Sequence, residues 1–318
     1  MVSNQEDCDV YDVAVIGSGP AGYTAAMYSS RFGLRTLLMQ GFEMGGQLML
    51  SSEVEDYPGA ESGILGPDLM DRFEAQAARF GADMRPYNVE RVDFSQRPFR
   101  LWQEGEDEPV LACSVIVATG ARSRWLGLEN EFRLMGRGVS NCATCDGFFF
   151  KDKRAAVVGG GDKAMEDALF LTTYASEVFV VHRHDTFRAS WAMLQRVREN
   201  PKITFVTDTV VEDVLGEEAV EGLWLRNVNT EKRQDFAVEG VFVSIGSDPV
   251  TYLFRDQLQT DQGGYIVRRE GTMTSVPGVF SAGEVSDSQY RQVATAVGDG
   301  ARAAIDAQRW LETSDATR

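Results

Sequence analysis

Cys142 and Cys145 stand three residues apart in the stretch SNCATCDGFFF (140–150), and Asp146 follows the second thiol directly. The chain has only 4 cysteines in 318 residues, so a pair at this spacing asks for a chemical reason. Such a pair can hold a metal, staple a fold, or cycle between dithiol and disulfide. Zinc takes about four ligands. The remaining ligand types are Cys8 in the N-terminal tail, Cys113 about to enter an apolar strand, and His182 and His184 in one loop. No second pair has ligand spacing, so no metal is expected. The N-terminus MVSNQEDCDVYDVAVIG is acidic and lacks the basic region and cleavage site of a secretory signal. A cytoplasmic setting is therefore expected, and it disfavours a purely structural disulfide. A redox dithiol remains.

That chemistry makes demands on the neighbourhood. Paired cysteines at the start of a helical turn lower each other's pKa, and the exposed N–H groups of the turn favour the thiolate. Exchange uses one thiolate as attacker and releases another. An acid must then supply a proton. No histidine is close in sequence, so Asp146 is the candidate acid–base. It is equally suited to cap the segment that follows, and the two roles can coexist.

Two longer patterns flank the pair. VYDVAVIGSGPAGYTAAMYSSRFGLRTLLMQG runs from a β-branched strand into Gly17-x-Gly19-x-x-Gly22, then a helix-forming stretch, then a second apolar run. The three glycines serve a tight turn, backbone approach to a pyrophosphate, and close helix–strand packing. The helix N-terminus presents N–H groups to the phosphates. RAAVVGGGDKAMEDALFLTTYASEVFVVHRHDTFRAS repeats the order around Gly159-x-Gly161-x-x-Ala164. The chain thus carries two dinucleotide folds of α/β class. The first cradle's second strand ends in Gln40, a neutral residue able to hydrogen-bond a ribose; the second leads to Arg183 and Arg188. Arginine at that strand end suits a 2′-phosphate, so the second cradle predicts NADP(H).

The glycine turns that close these sheets show how the folds nest. SVIVATGAR (114–122) closes the sheet begun near residue 10, and GVFVSIGSDP (240–249) closes the one begun at 154. GVFSAGEVSD (278–287) comes after the second fold has ended and returns to the first. The expectation is a discontinuous first domain, 1–122 plus 247–318, with a second domain at 123–246 inserted into it, and a hinge at the two crossings. The redox pair falls in the insert. A nicotinamide nucleotide delivers hydride, a disulfide accepts two electrons, and a flavin couples the two, which assigns the first cradle to FAD.

Composition narrows the partners. Lys and Arg number 31 against 48 Asp and Glu, a formal charge of −17. Such a field repels nucleic acid and anionic lipid, and no apolar run approaches the ~18 residues of a membrane span. The ending ETSDATR reads as a solvated tail. An acidic protein partner would need a local basic patch, for which Arg133 and Arg137 are candidates.

Across nearly its whole length the chain resembles the low-molecular-weight, bacterial-type thioredoxin reductases. The resemblance is carried by IGSGPAGYTAA, GGQL, EVEDYPG, ATGA, NCATCDGFFF, GGGDKAMEDALFL, HRHDTFRAS, GVFSAGEVSD and YRQVATAVGDGARAAIDAQRWL. The most specific feature is the placement of CATC between the two cradles. The resemblance implies a homodimer with FAD and NADPH, acting on thioredoxin or a thioredoxin-like protein, and a large rotation of the inserted domain. By position it implies that Cys145 faces the flavin, that Cys142 attacks the partner, and that Asp146 serves both. It places Gly46, Gln47, Asp56, Glu284, Arg291 and Gln292 along the flavin, Gly159, Gly160 and Gly161 at the pyrophosphate of NADPH, and Asp162 among the cofactor-binding residues. Some residues depart from the family pattern: Glu284 replaces Asp, Asp56 replaces Asn, Lys163 a small hydroxyl residue, His184 an Arg, and Ser247 a His. The alternative they suggest is a disulfide reductase of the same fold that takes electrons from ferredoxin or holds a second FAD.

Overall fold

The computed structural model describes residues 10–50 and 53–313. Cys8 and the last five residues of the expected tail lie outside them. Strand β1 (Val10–Ile16) ends in four consecutive buried residues. Its side chains alternate between two cores: Val13 and Val15 face one, Ala14 and Ile16 the other. A strand covered on both faces has to be apolar there, which is why its buried end, Val13–Ile16, is an apolar and mostly β-branched run. Helix α1 (Pro20–Arg31) follows, with Pro20 in its first turn, where a missing N–H costs nothing. β2 (Thr36–Met39) then pairs in parallel with β1.

After α2 (Gly66–Arg79) come β3 (Asp83–Arg85), β4 (Val89–Asp93), β5 (Phe99–Gln103) and β6 (Val110–Val117). Strands β4 to β6 form an antiparallel meander, and β6 lies parallel to β1. Cys113 sits inside β6 rather than ahead of it, because the pairing with β1 already begins at Leu111. Partial burial pushes its thiol pKa up.

The next segment repeats the scheme. Following α3 (Glu129–Arg133), β7 (Val139–Ser140) and α4 (Ala143–Asp146), the chain runs β8 (Arg154–Val158), α5 (Asp162–Leu171), β9 (Glu177–Val181), α6 (Trp191–Glu199) and β10 (Ile203–Val206). An antiparallel meander of β11 (Thr209–Leu215), β12 (Gly222–Asn227) and β13 (Arg233–Phe236) precedes β14 (Gly240–Val243). The parallel sheet has the order β7-β14-β8-β9-β10. Ala155 and Val157 face one core of this unit, Ala156 and Val158 the other, the same division as in β1. The chain then returns with β15 (Val279–Ser281), which lies parallel to β6, and α7 (Val293–Thr313).

Packing divides the chain into Met1–Arg122 with Asp248–Arg318, and Ser123–Ser247. The crossing segments Ala121–Ser123 and Ser247–Pro249 pair as a two-stranded sheet. Among the described residues no helix is long and apolar enough to cross a membrane.

Candidate redox and dinucleotide sites

Cys142 and Cys145 are joined as a disulfide, with Cα atoms 5.3 Å apart. Cys142 is the N-cap of α4: its backbone is extended, and its sulfur accepts the Cys145 N–H at 3.2 Å. The Thr144 hydroxyl lies 3.3 Å from the same sulfur. Once the S–S bond opens, these donors stabilise negative charge on Cys142. Asp146 ends α4 and, by position, caps the 3-10 turn Gly147–Phe150, yet its side chain makes no capping hydrogen bond. The capping role is therefore not realised through the carboxylate. Phe148 and Phe149 leave the helix exposed, Phe150 enters the core, and Tyr174 packs edge-on against Phe148 at 5.9 Å. This exposed aromatic surface beside the pair escaped the residue-by-residue reading, although the FFF run was its signal.

In the first cradle two glycines are closed and one is open. A Cβ on Gly22 would stand 1.8 Å from the Gly17 carbonyl oxygen, and one on Gly17 would stand 2.4 Å from the Ala118 oxygen. Gly19, the N-cap of α1, has nothing within 4 Å of its Cβ direction, and no side chain caps the helix. A pyrophosphate fits that open space and can accept from the first-turn N–H groups. Gly46 packs its own Cβ direction 3.3 Å from Gly19. Ser18 Oγ donates to the Gln40 carbonyl at 2.7 Å and accepts from the Gly45 N–H at 3.2 Å, holding turn and loop together. The Gln40 side chain is buried, and its amide donates to Tyr23 Oη at 2.9 Å and Glu74 at 2.8 Å. Gln47 and Asp56 are exposed.

The 3-10 turn Gly283–Val285 is seated against α1, a Cβ on Gly283 falling 3.0 Å from that of Ala21. This brings Glu284 to the first cradle. Burial pushes the Glu284 carboxyl pKa up, while Arg291, 3.4 Å away, pulls it down. Arg291 adopts a left-handed backbone at φ 51°. Gln292 precedes α7, and its carbonyl accepts from the Thr295 hydroxyl at 2.9 Å.

The second cradle repeats the geometry. A Cβ on Gly159 would meet the Ser244 carbonyl at 2.4 Å, one on Gly160 the His182 ring at 2.3 Å, and one on Gly161 nothing within 4 Å. The Gly160 carbonyl accepts from the Arg188 N–H at 2.8 Å, and Asp162 accepts from the Ser190 N–H at 2.7 Å. Asp162 thus fastens the arginine-bearing loop to the glycine turn. Arg183 and Arg188 are exposed and make no ion pair among the described residues. His182 stacks on Phe187 at 5.1 Å and meets His184 edge-on at 5.6 Å. Burial, then the nearby His184, hold its pKa below the usual histidine value. Lys163 pairs at 2.6 Å with buried Asp167, which also accepts from Ser244 Oγ at 2.6 Å. The Lys163–Asp167 pair has the i,i+4 spacing of a helix, whereas the contact of Asp167 with Ser244 spans 77 residues and was not visible in the sequence.

The candidate basic residues Arg133 and Arg137 lie at the surface beside an acidic loop. Arg133 donates to the carbonyls of Gly216 at 2.6 Å and Glu217 at 2.5 Å, and Arg137 pairs with Glu218 at 3.8 Å. Both cations are engaged by the acidic 216–218 loop.

Comparison with known proteins agrees with this arrangement. The family described as pyridine nucleotide-disulphide oxidoreductase matches residues 11–300. A thioredoxin reductase of Mycolicibacterium smegmatis is 50% identical over 307 residues, covering 96% of this chain and 98% of the relative. A bifunctional thioredoxin reductase/thioredoxin of Mycobacterium leprae is 50% identical over 95% of this chain and 66% of its own length. The solved thioredoxin reductase of Giardia duodenalis superposes with a TM-score of 0.91 at 38% identity, over 95% of this chain and 99% of that one.

Proposed function

Because the chain belongs to the pyridine nucleotide-disulphide oxidoreductases, and within them to the thioredoxin reductases, we propose that it passes two electrons from NADPH through FAD and the Cys142–Cys145 couple to thioredoxin. The observation that carries this is the helix-capping disulfide itself, set in a chain with two open dinucleotide cradles. A relative whose name joins thioredoxin reductase and thioredoxin supports the choice of partner. FAD, when bound, supplies the two-electron exchange between nicotinamide and dithiol.

The residues divide the remaining work. Gly17, Gly19 and Gly22 give the FAD pyrophosphate backbone access, with Gly46 behind them and Glu284 and Arg291 at the side. Gly159 to Gly161 do the same for NADPH, and Arg183 and Arg188 take the 2′-phosphate. In the reduced pair the Cys142 thiolate attacks the partner's disulfide and forms a mixed disulfide, expelling one partner thiolate. Cys145 then attacks Cys142, restoring the enzyme disulfide and releasing the second partner thiolate. Asp146 moves the protons that balance these thiolates. Phe148 and Phe149 offer the partner an apolar contact beside the reacting sulfurs.

Anaerobic titration with NADPH tests the reading. The visible absorbance of the flavin is expected to bleach with NADPH and to return on addition of oxidised thioredoxin. A flavin left oxidised by excess NADPH would refute NADPH as donor and direct attention to ferredoxin or a second flavin, which a count of flavins per chain distinguishes.

A further inference from the structure

Asp299 lies on α7 and is 7% exposed. Its Oδ2 accepts from Arg268 Nη2 at 2.7 Å and from the Gly283 N–H at 3.3 Å, while Oδ1 lies 3.5 Å from Arg302 Nη1. Arg268 Nε donates to Ser281 Oγ at 3.2 Å, and Ser281 is the fully buried last residue of β15. The far end of the turn is fixed as well, because the Ile266 N–H donates to the Val285 carbonyl at 3.0 Å. Gly283, at φ +74°, is wedged between Ala21 of α1 and Ala296 of α7. Glu284 is therefore the middle residue of a turn held at both ends.

We propose that Asp299, with Arg268 as its counter-charge, is a positioning residue that sets the Gly283–Val285 turn and so presents Glu284 and the turn's backbone to the flavin. This rests on the FAD reading of the first cradle. A buried ion pair is a weak source of net stability, since desolvation of both charges offsets their attraction. Its worth here is geometric: the same carboxylate that Arg268 neutralises holds the Gly283 N–H. Asp306 on the same helix provides the contrast. Its Oδ2 accepts from the Thr272 N–H at 2.9 Å and the Thr272 hydroxyl at 2.7 Å, two bonds that leave the turn untouched.

Three variants of the holoenzyme separate positioning from general support of α7: Asp299→Asn, the apolar pair Asp299→Leu with Arg268→Met, and Asp306→Asn. FAD dissociation constants, flavin midpoint potential and Tm are measured for each. Asp299→Asn and the apolar pair are expected to weaken FAD on the order of tenfold or more and to shift the potential, the pair with little change in Tm. Asp306→Asn is expected to lower Tm while holding FAD within about twofold of wild type. The proposal is overturned if the folded Asp299 variants retain FAD and potential as wild type does, or if Asp306→Asn loses FAD equally. Should the apolar pair fail to fold, Asp299→Asn decides. Wild-type protein that binds FAD but is not reduced by NADPH would overturn the functional reading and leave this one standing.

Discussion

Replacing Cys142 by Ser removes the sulfur that caps α4 and attacks the partner, but leaves both cradles intact. Thioredoxin reduction is expected to vanish while NADPH still bleaches the flavin, and stopped-flow absorbance separates the two steps. Asp146→Asn keeps the shape and loses the proton; turnover with thioredoxin should fall by roughly 10²-fold, with NADPH binding unchanged. His182 makes a prediction in pH. Its pKa is depressed in the folded protein, so below about 6.5 the unfolded chain takes up the proton first. Stability is therefore full above that pH and is lost on acidification toward the folded-state pKa. His182→Phe keeps the stack on Phe187 and should flatten this dependence between pH 7 and 5, as read from denaturant midpoints. The redox pair was legible from its spacing together with the lack of further ligand pairs and the expected compartment. The surroundings of His182 were not, because its packing on Gly160 depends on how a loop folds back 22 residues along the chain.

At the scale of elements the two cradles are strand, turn and helix in one fixed relation, and their glycines are not equivalent. Gly22→Ala drives a methyl against the Gly17 carbonyl, which backbone cannot yield, so a loss of folding stability of about 1–3 kcal/mol or more is expected. Gly19→Ala meets no protein atom. It should fold normally and lose FAD instead, a contrast that Tm and bound-flavin absorbance resolve together. The strand–glycine–helix–strand order was readable twice over in the sequence, since buried parallel strands must be apolar on both faces and the turn must be glycine. The side chains that brace those turns were not readable. Asp299 meets Gly283 from 16 residues away and Asp167 meets Ser244 from 77, and no local period encodes such pairs. Arg133 and Arg137 show the converse: cations that looked available are engaged by loop 216–218.

For the whole molecule, the two units should answer to different ligands. Hydrogen exchange is expected to show FAD protecting amides near Gly17–Tyr23 and Gly283–Val285, and NADP⁺ protecting those near Gly159–Ala164 and Arg183–Ser190. A homodimer is proposed from the family resemblance, and sedimentation should return twice the chain mass. The pairing of Ala121–Ser123 with Ser247–Pro249 has a consequence of its own. The inserted stretch is entered and left through neighbouring strands, so its ends sit side by side, like the two prongs of a plug. A segment with that wiring can be cut out and the gap sealed by a few residues, or exchanged for another of the same gauge, without rerouting the host sheet. On the proposed reading this cartridge carries both the electron-donor cradle and the Cys142–Cys145 pair, so a graft of a homologous insert between residues 122 and 248 would exchange the two together.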